Sequence, residues 1–103
     1  MNNQFIAYVG DDRVHDSYIT STHWENHNFS VSLRGYEGEL VVLTFCDVQM
    51  IHSNKPIGMM LYAVSVMKES EPFRKFIFTN WDELDCASLE IVAKSIEVEV
   101  TVV

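Results

Sequence analysis

Ser95-Ile96-Glu97-Val98-Glu99-Val100-Thr101-Val102 alternates polar and apolar side chains without a break. Successive residues of a strand point to opposite faces of a sheet. Ile96, Val98, Val100 and Val102 therefore share one face, and Ser95, Glu97, Glu99 and Thr101 share the other. A helix would scatter the same four apolar residues around its axis. The segment reads as a strand with one face buried and the other in water.

The same period of two runs through Phe29, Val31 and Leu33 against Ser30, Ser32 and Arg34. Tyr18 to Glu25 is rich in Thr, Ile, Tyr and Trp and stops at Asn26-His27-Asn28, which reads as a hairpin loop. Gly35-Tyr36-Glu37-Gly38-Glu39 is a second turn. Leu40 to Cys46 is a nearly continuous apolar run, the signature of a strand covered on both faces. Asp47 interrupts it, and Asp47 to Ser53 continues the strand after a bend. Phe73 to Trp81 and Ser88 to Ala93 complete the strand set. Residues 57–67 carry two patterns. Ile57, Met60, Leu61, Val64 and Met67 follow helical spacing behind Pro56, while Tyr62, Val64 and Val66 alternate and Gly58 weakens a helix. The helical reading is preferred. The expected fold is α+β, mostly antiparallel β: a single rolled sheet or small open barrel of about six or seven strands with one short helix, residues 1–103 forming one domain.

Of 103 residues 48% are hydrophobic and 21% charged, enough for a core and too few charges for a disordered chain. Fifteen acidic against seven basic residues leave a net charge of −8. Phosphate neutralisation needs clustered Lys and Arg, so nucleic acid is excluded as a partner, and so is an anionic membrane surface. The longest apolar run is short of a membrane span, and the start shows no basic stretch leading into an apolar one. A cytoplasmic location is expected. The cysteines, Cys46 and Cys86, have no zinc-type spacing and are expected as buried free thiols. Asn28-Phe29-Ser30 matches a glycosylation acceptor, without meaning for a cytoplasmic chain.

Two loops hold the chemistry. Asp11-Asp12-Arg13-Val14-His15-Asp16 joins a His-Asp pair to further carboxylates, a donor set for a metal in which Asp11, Asp12, His15, Asp16 and His52 would be the ligands. Helical phosphohydrolases with His-Asp pairs are larger and draw ligands from several helices. The plainer reading is a solvated loop whose carboxylates bond nearby amides. His23 and His27 are four apart, a spacing that converges on a helix but need not on a strand and turn. Cys46 lies in a core strand, where a thiol is inert. With no glycine-flanked serine, phosphate loop or dinucleotide motif, an enzyme is disfavoured and no cofactor is expected.

The second loop, Asp82-Glu83-Leu84-Asp85, follows Trp81. It lacks calcium-loop spacing. It reads either as a solvated turn with Trp81 tucked inward, or as an acidic rim around an aromatic anchor for a basic protein partner, with Trp81, Asp82, Glu83 and Asp85 as the contact residues. Strand edges such as Ile96 to Val103 offer a route to a homo-oligomer.

Val14-His15-Asp16-Ser17-Tyr18-Ile19, Phe45-Cys46-Asp47-Val48 and Leu89-Glu90-Ile91-Val92-Ala93 together resemble a group of small bacterial β-rich proteins, some of them similar to immunity proteins of toxin systems. Their pattern is an early H-D-S-x-I, a strand ending F-x-G-V and a final L-x-I-x-A. The resemblance spans residues 14–93 and implies a β-rich fold, with an immunity-type inhibitor of a basic toxin as the expected function and no catalytic residues. Asp47 stands where the group has glycine, which bears on the bend at that point.

Overall fold

Two long strands organise the chain. β4 (Leu40–Asn54) and β7 (Ser88–Thr101) run antiparallel from Leu40 opposite Thr101 to Asn54 opposite Ser88. In this computed structural model, which describes residues 4–10 and 14–102, both strands change face near their middle. Val41, Leu43 and Phe45 are buried along the first part of β4, whereas Asp47 is exposed and Val48 turns inward. On β7 the inward set is Leu89, Ile91 and Ala93, and beyond Lys94 and Ser95 it becomes Ile96 and Val100. Asp47 takes a φ of 53°, a left-handed conformation that aspartate tolerates better than most residues. The bend therefore survives without the glycine. Two bonds hold it to the neighbouring hairpin, Val48 N–H to the His27 carbonyl (2.9 Å) and Asp47 N–H to Asn28 Oδ1 (3.3 Å).

Around this pair stand β1 (Phe5–Tyr8), β2 (Tyr18–Glu25), β3 (Asn28–Arg34), β5 (Leu61–Lys68) and β6 (Arg74–Asn80), giving one open, antiparallel, seven-stranded sheet in the order β1-β5-β6-β7-β4-β3-β2. The start of β2 also meets the segment leading into β5. Ile19 N–H donates to Met59 O (3.0 Å), Gly58 N–H to Ile19 O (2.7 Å) and Leu61 N–H to Ser17 O (2.7 Å). One core fills the inside, with Phe45 of β4 against Phe76 and Phe78 of β6 at ring separations of 5.0 and 5.9 Å.

The described residues contain no helix, so the expected α+β class is corrected to all-β, and residues 57–67 are a turn running into β5. Gly58, at φ 90°, ends the turn. The helical spacing has a local cause. Leu61 pairs with Asn80 but Ala63 pairs with Thr79, so β5 advances two residues while β6 advances one and Tyr62 is the extra residue of a bulge. The bulge shifts the phase of the strand, so Leu61 and Val64, three apart, both face the core. That is the i, i+3 pattern of a helix produced by an interrupted strand. Two further expectations change. Ser88–Ala93 and the closing alternation are one strand, β7, and Phe5–Tyr8 is a strand that its short sequence did not announce.

Candidate functional site

The bulge at Tyr62 takes its carbonyl out of regular pairing with β6, and that carbonyl accepts a hydrogen bond from His15 Nδ1. A carbonyl only accepts, so Nδ1 carries the proton and Nε2 is directed elsewhere. His15 Nε2 lies 3.6 Å from Asp16 Oδ1. The same carboxylate oxygen accepts the indole N–H of Trp81 at 2.5 Å. The Tyr62 and Trp81 rings meet edge to face at 5.3 Å and 86°, and the His15 ring packs against both, at 5.1 and 6.0 Å. Trp81 and Tyr62 are 47% and 46% exposed, so neither is tucked into the core. Two loops 65 residues apart in sequence thus meet at one aromatic corner beside a carboxylate.

Local structure fixes each part. The turn carrying His15 and Asp16 is anchored by Val14, which is buried, and by Ser17, a fully buried polar residue. Ser17 Oγ donates to the Val14 carbonyl at 2.5 Å, satisfying the hydroxyl. Asp16, at φ 65°, closes the turn while its own N–H reaches Leu61 O at 3.0 Å. Gly10 packs on this turn so closely that a Cβ there would lie 2.6 Å from Val14 Cγ2. Trp81 is set by a bond from its N–H to Met60 O at 2.9 Å, next to the bulge. A hollow of about 360 Å³ lies beside the corner, among Tyr8, Val9, Val14, His15, Tyr62 and Val64.

The acidic loop after Trp81 is largely self-bonded. Asp82 Oδ1 accepts from Leu84 N–H (2.9 Å), Asp85 Oδ1 from Ala87 N–H (3.2 Å) and Asp85 Oδ2 from Asn80 Nδ2 (3.0 Å). The Asn80 side-chain amide, then the Ala87 N–H, against an opposing desolvation and with the Cys86 N–H contributing least, hold the Asp85 carboxyl below its ordinary value. Leu84, at the loop tip, is 96% exposed. Asp82, Glu83 and Asp85 are all exposed, so this loop combines turn geometry with a negative, partly apolar rim.

The remaining candidates lie apart. Asp11 and Asp12 are outside the described residues. His52 sits on β4 opposite Glu90 of β7, with β6 between β7 and β5, about 14 Å of strand spacings from the Tyr62 strand. Of the described residues, no three His, Cys, Asp or Glu are grouped to hold a metal ion. His23 is on β2 within 3.8 Å of Glu25, while His27 is in the β2–β3 turn. Both thiols are free, but Cys46 is only half-buried and Cys86 is exposed, which corrects the expectation of two buried thiols. Cys86 is in the loop between β6 and β7, where Asn54 Nδ2 binds its carbonyl at 2.8 Å.

Sequence reasoning missed Tyr62. Its alternation with Val64 and Val66 was visible, but a bulge has no residue code of its own. Family models, curated proteins and solved structures yield no match to the chain.

Proposed function

We propose that this protein is a non-enzymatic, cytoplasmic interaction domain, an immunity-type inhibitor whose Tyr62–Trp81 corner receives a Lys or Arg side chain of a basic protein partner such as a toxin. The observation that carries this reading is the half-exposed Trp81 ring, fixed by Asp16 and flanked by Tyr62 and His15. Ring surface left exposed by this edge-to-face pair can take a cation, worth about 0.5–1 kcal/mol at an exposed site and more when the partner excludes water. Asp16, Asp82, Glu83 and Asp85 add a negative field that speeds encounter with a positive surface. Leu84 supplies an apolar contact at the rim. The reading takes the bonds between β2 and the start of β5 as rolling the sheet into a small open barrel, with the corner at its seam.

The test is affinity capture from the native host with the wild-type chain, Trp81→Ala, and the double variant Asp82→Lys with Glu83→Lys. A stoichiometric basic protein held by the wild type and lost by both variants is the expected result. Equal retention by all three chains, or recovery of no protein partner, overturns the reading.

A further inference from the structure

β6 pairs with β7 only from Leu89 to Ala93, whereas β4 pairs with β7 as far as Thr101. Among the described residues, the stretch from Ser95 to Thr101 is therefore laddered on one side only. β6 does not extend to cover it, because the chain before Arg74 turns through Ser70, Glu71 and Pro72, with Phe73 N–H bonded back to Ser70 O at 2.9 Å. Proline also has no N–H to give a ladder.

The vacant position has an apolar floor. Ile96 and Val100 pack against the core, and Val98 between them is 43% exposed although its cross-strand partner Leu43 is fully buried. A strand laid alongside would cover Val98 and prolong the core at the place β6 leaves empty. On the opposite face stand Glu97 and Glu99, whose partners on β4 are Thr44 and Val42, so neither has a cation across the ladder.

Those glutamates decide the occupant. Antiparallel pairing with a second copy about Val98 sets Glu97 opposite the other Glu99, and pairing about Glu97 or Glu99 sets that residue opposite itself. Like charges directly opposite are destabilising. We propose that the β7 edge from Ser95 to Thr101 accepts an added strand from a basic partner protein, a segment alternating apolar residues with Lys or Arg. Main-chain bonds supply the affinity, and the two glutamates select the charge of the guest strand. This proposal does not depend on the Trp81 corner.

The test uses the full ¹⁵N-labelled chain with two synthetic peptides, one alternating Val with Lys and one alternating Val with Glu. Because the whole protein is acidic, the readout is residue-resolved amide exchange rather than binding alone. The Val/Lys peptide is expected to slow exchange of the outward amides between Ser95 and Thr101 by about tenfold, and the Val/Glu peptide to leave them unchanged. In the double variant Glu97→Lys with Glu99→Lys, both positions being exposed, the preference is expected to reverse. Unchanged exchange in this stretch with the Val/Lys peptide, protection confined to the Trp81 region, or concentration-dependent protection without peptide, which would mean self-pairing, overturns the proposal.

Discussion

Two of the interruptions in this sheet, at Asp47 of β4 and at Tyr62 of β5, do different work. At Asp47, β4 turns its inward face over through a left-handed residue, and the polar groups released there are taken up by the β2–β3 hairpin. The bend is spent inside the fold, bringing Phe45 onto the aromatic pair of β6. At Tyr62, β5 bulges without a left-handed residue, and the released carbonyl faces His15 on the surface. A bend with its polar groups absorbed by the scaffold shapes a core, while a bulge with one group presented outward orients a site.

Substitutions at the two places separate these roles. The largest expected effect is at the β4 bend. Phe45→Ala empties a fully buried position and is expected to cost about 3–5 kcal/mol, read as a lower denaturant midpoint. A loss below about 1 kcal/mol would mean the bend carries no core. Next comes Asp47 itself. Asp47→Val, branched at Cβ, is expected to lose about 1–2 kcal/mol at positive φ, whereas Asp47→Gly is expected to gain up to about 1 kcal/mol. Equal melting temperatures for the two variants would break the assignment of strain to this residue.

At the β5 bulge the balance between stability and binding should reverse. Trp81→Phe keeps a ring but deletes the bond to Asp16, and about 1 kcal/mol or less is expected in thermal unfolding, with partner retention sharply reduced. A variant that binds as the wild type does would show that the indole is not part of the contact. The smallest effect concerns Asp85. Its folded carboxyl titrates below the ordinary aspartate value of 3.8, so its contribution is present above that value and lost as pH falls through the lower, folded one. An acid titration by NMR should show the Asn80 side-chain amide and the Ala87 N–H shifting together below pH 3.8. Independent movement of the two would remove Asp85 as the organiser of the loop.

The acids, which set the charge of the whole chain, differ in the same way. Asp82 and Asp85 spend oxygens on their own turn, and Asp16 spends one on Trp81. Glu97 and Glu99 face only Thr44 and Val42 across the ladder. Counting acids in the sequence could not sort these groups, because a carboxylate's partner is set by the backbone it faces.

The sequence by itself determined β2, β3, the first half of β4 and the closing half of β7. In β3 and β7 alternation reports which face water can reach. The apolar run 40–46 marks a strand but not its expected cover on both faces, since Val41, Leu43 and Phe45 are buried and Leu40, Val42, Thr44 and Cys46 only half-buried. It also determined the β2–β3 turn and the place of the bend at Asp47. Only the tertiary structure decided that residues 57–67 are not a helix, because one unpaired residue changes the phase of a strand and reproduces helical spacing. Only the tertiary structure brought His15 and Asp16 to Trp81, since that contact depends on how β2 returns to β5 across the sheet. The open side of β7 was likewise settled by where β6 stops. Periodicity records which way a side chain points, but pairing is made by strands distant in sequence, and both the corner and the edge are products of pairing.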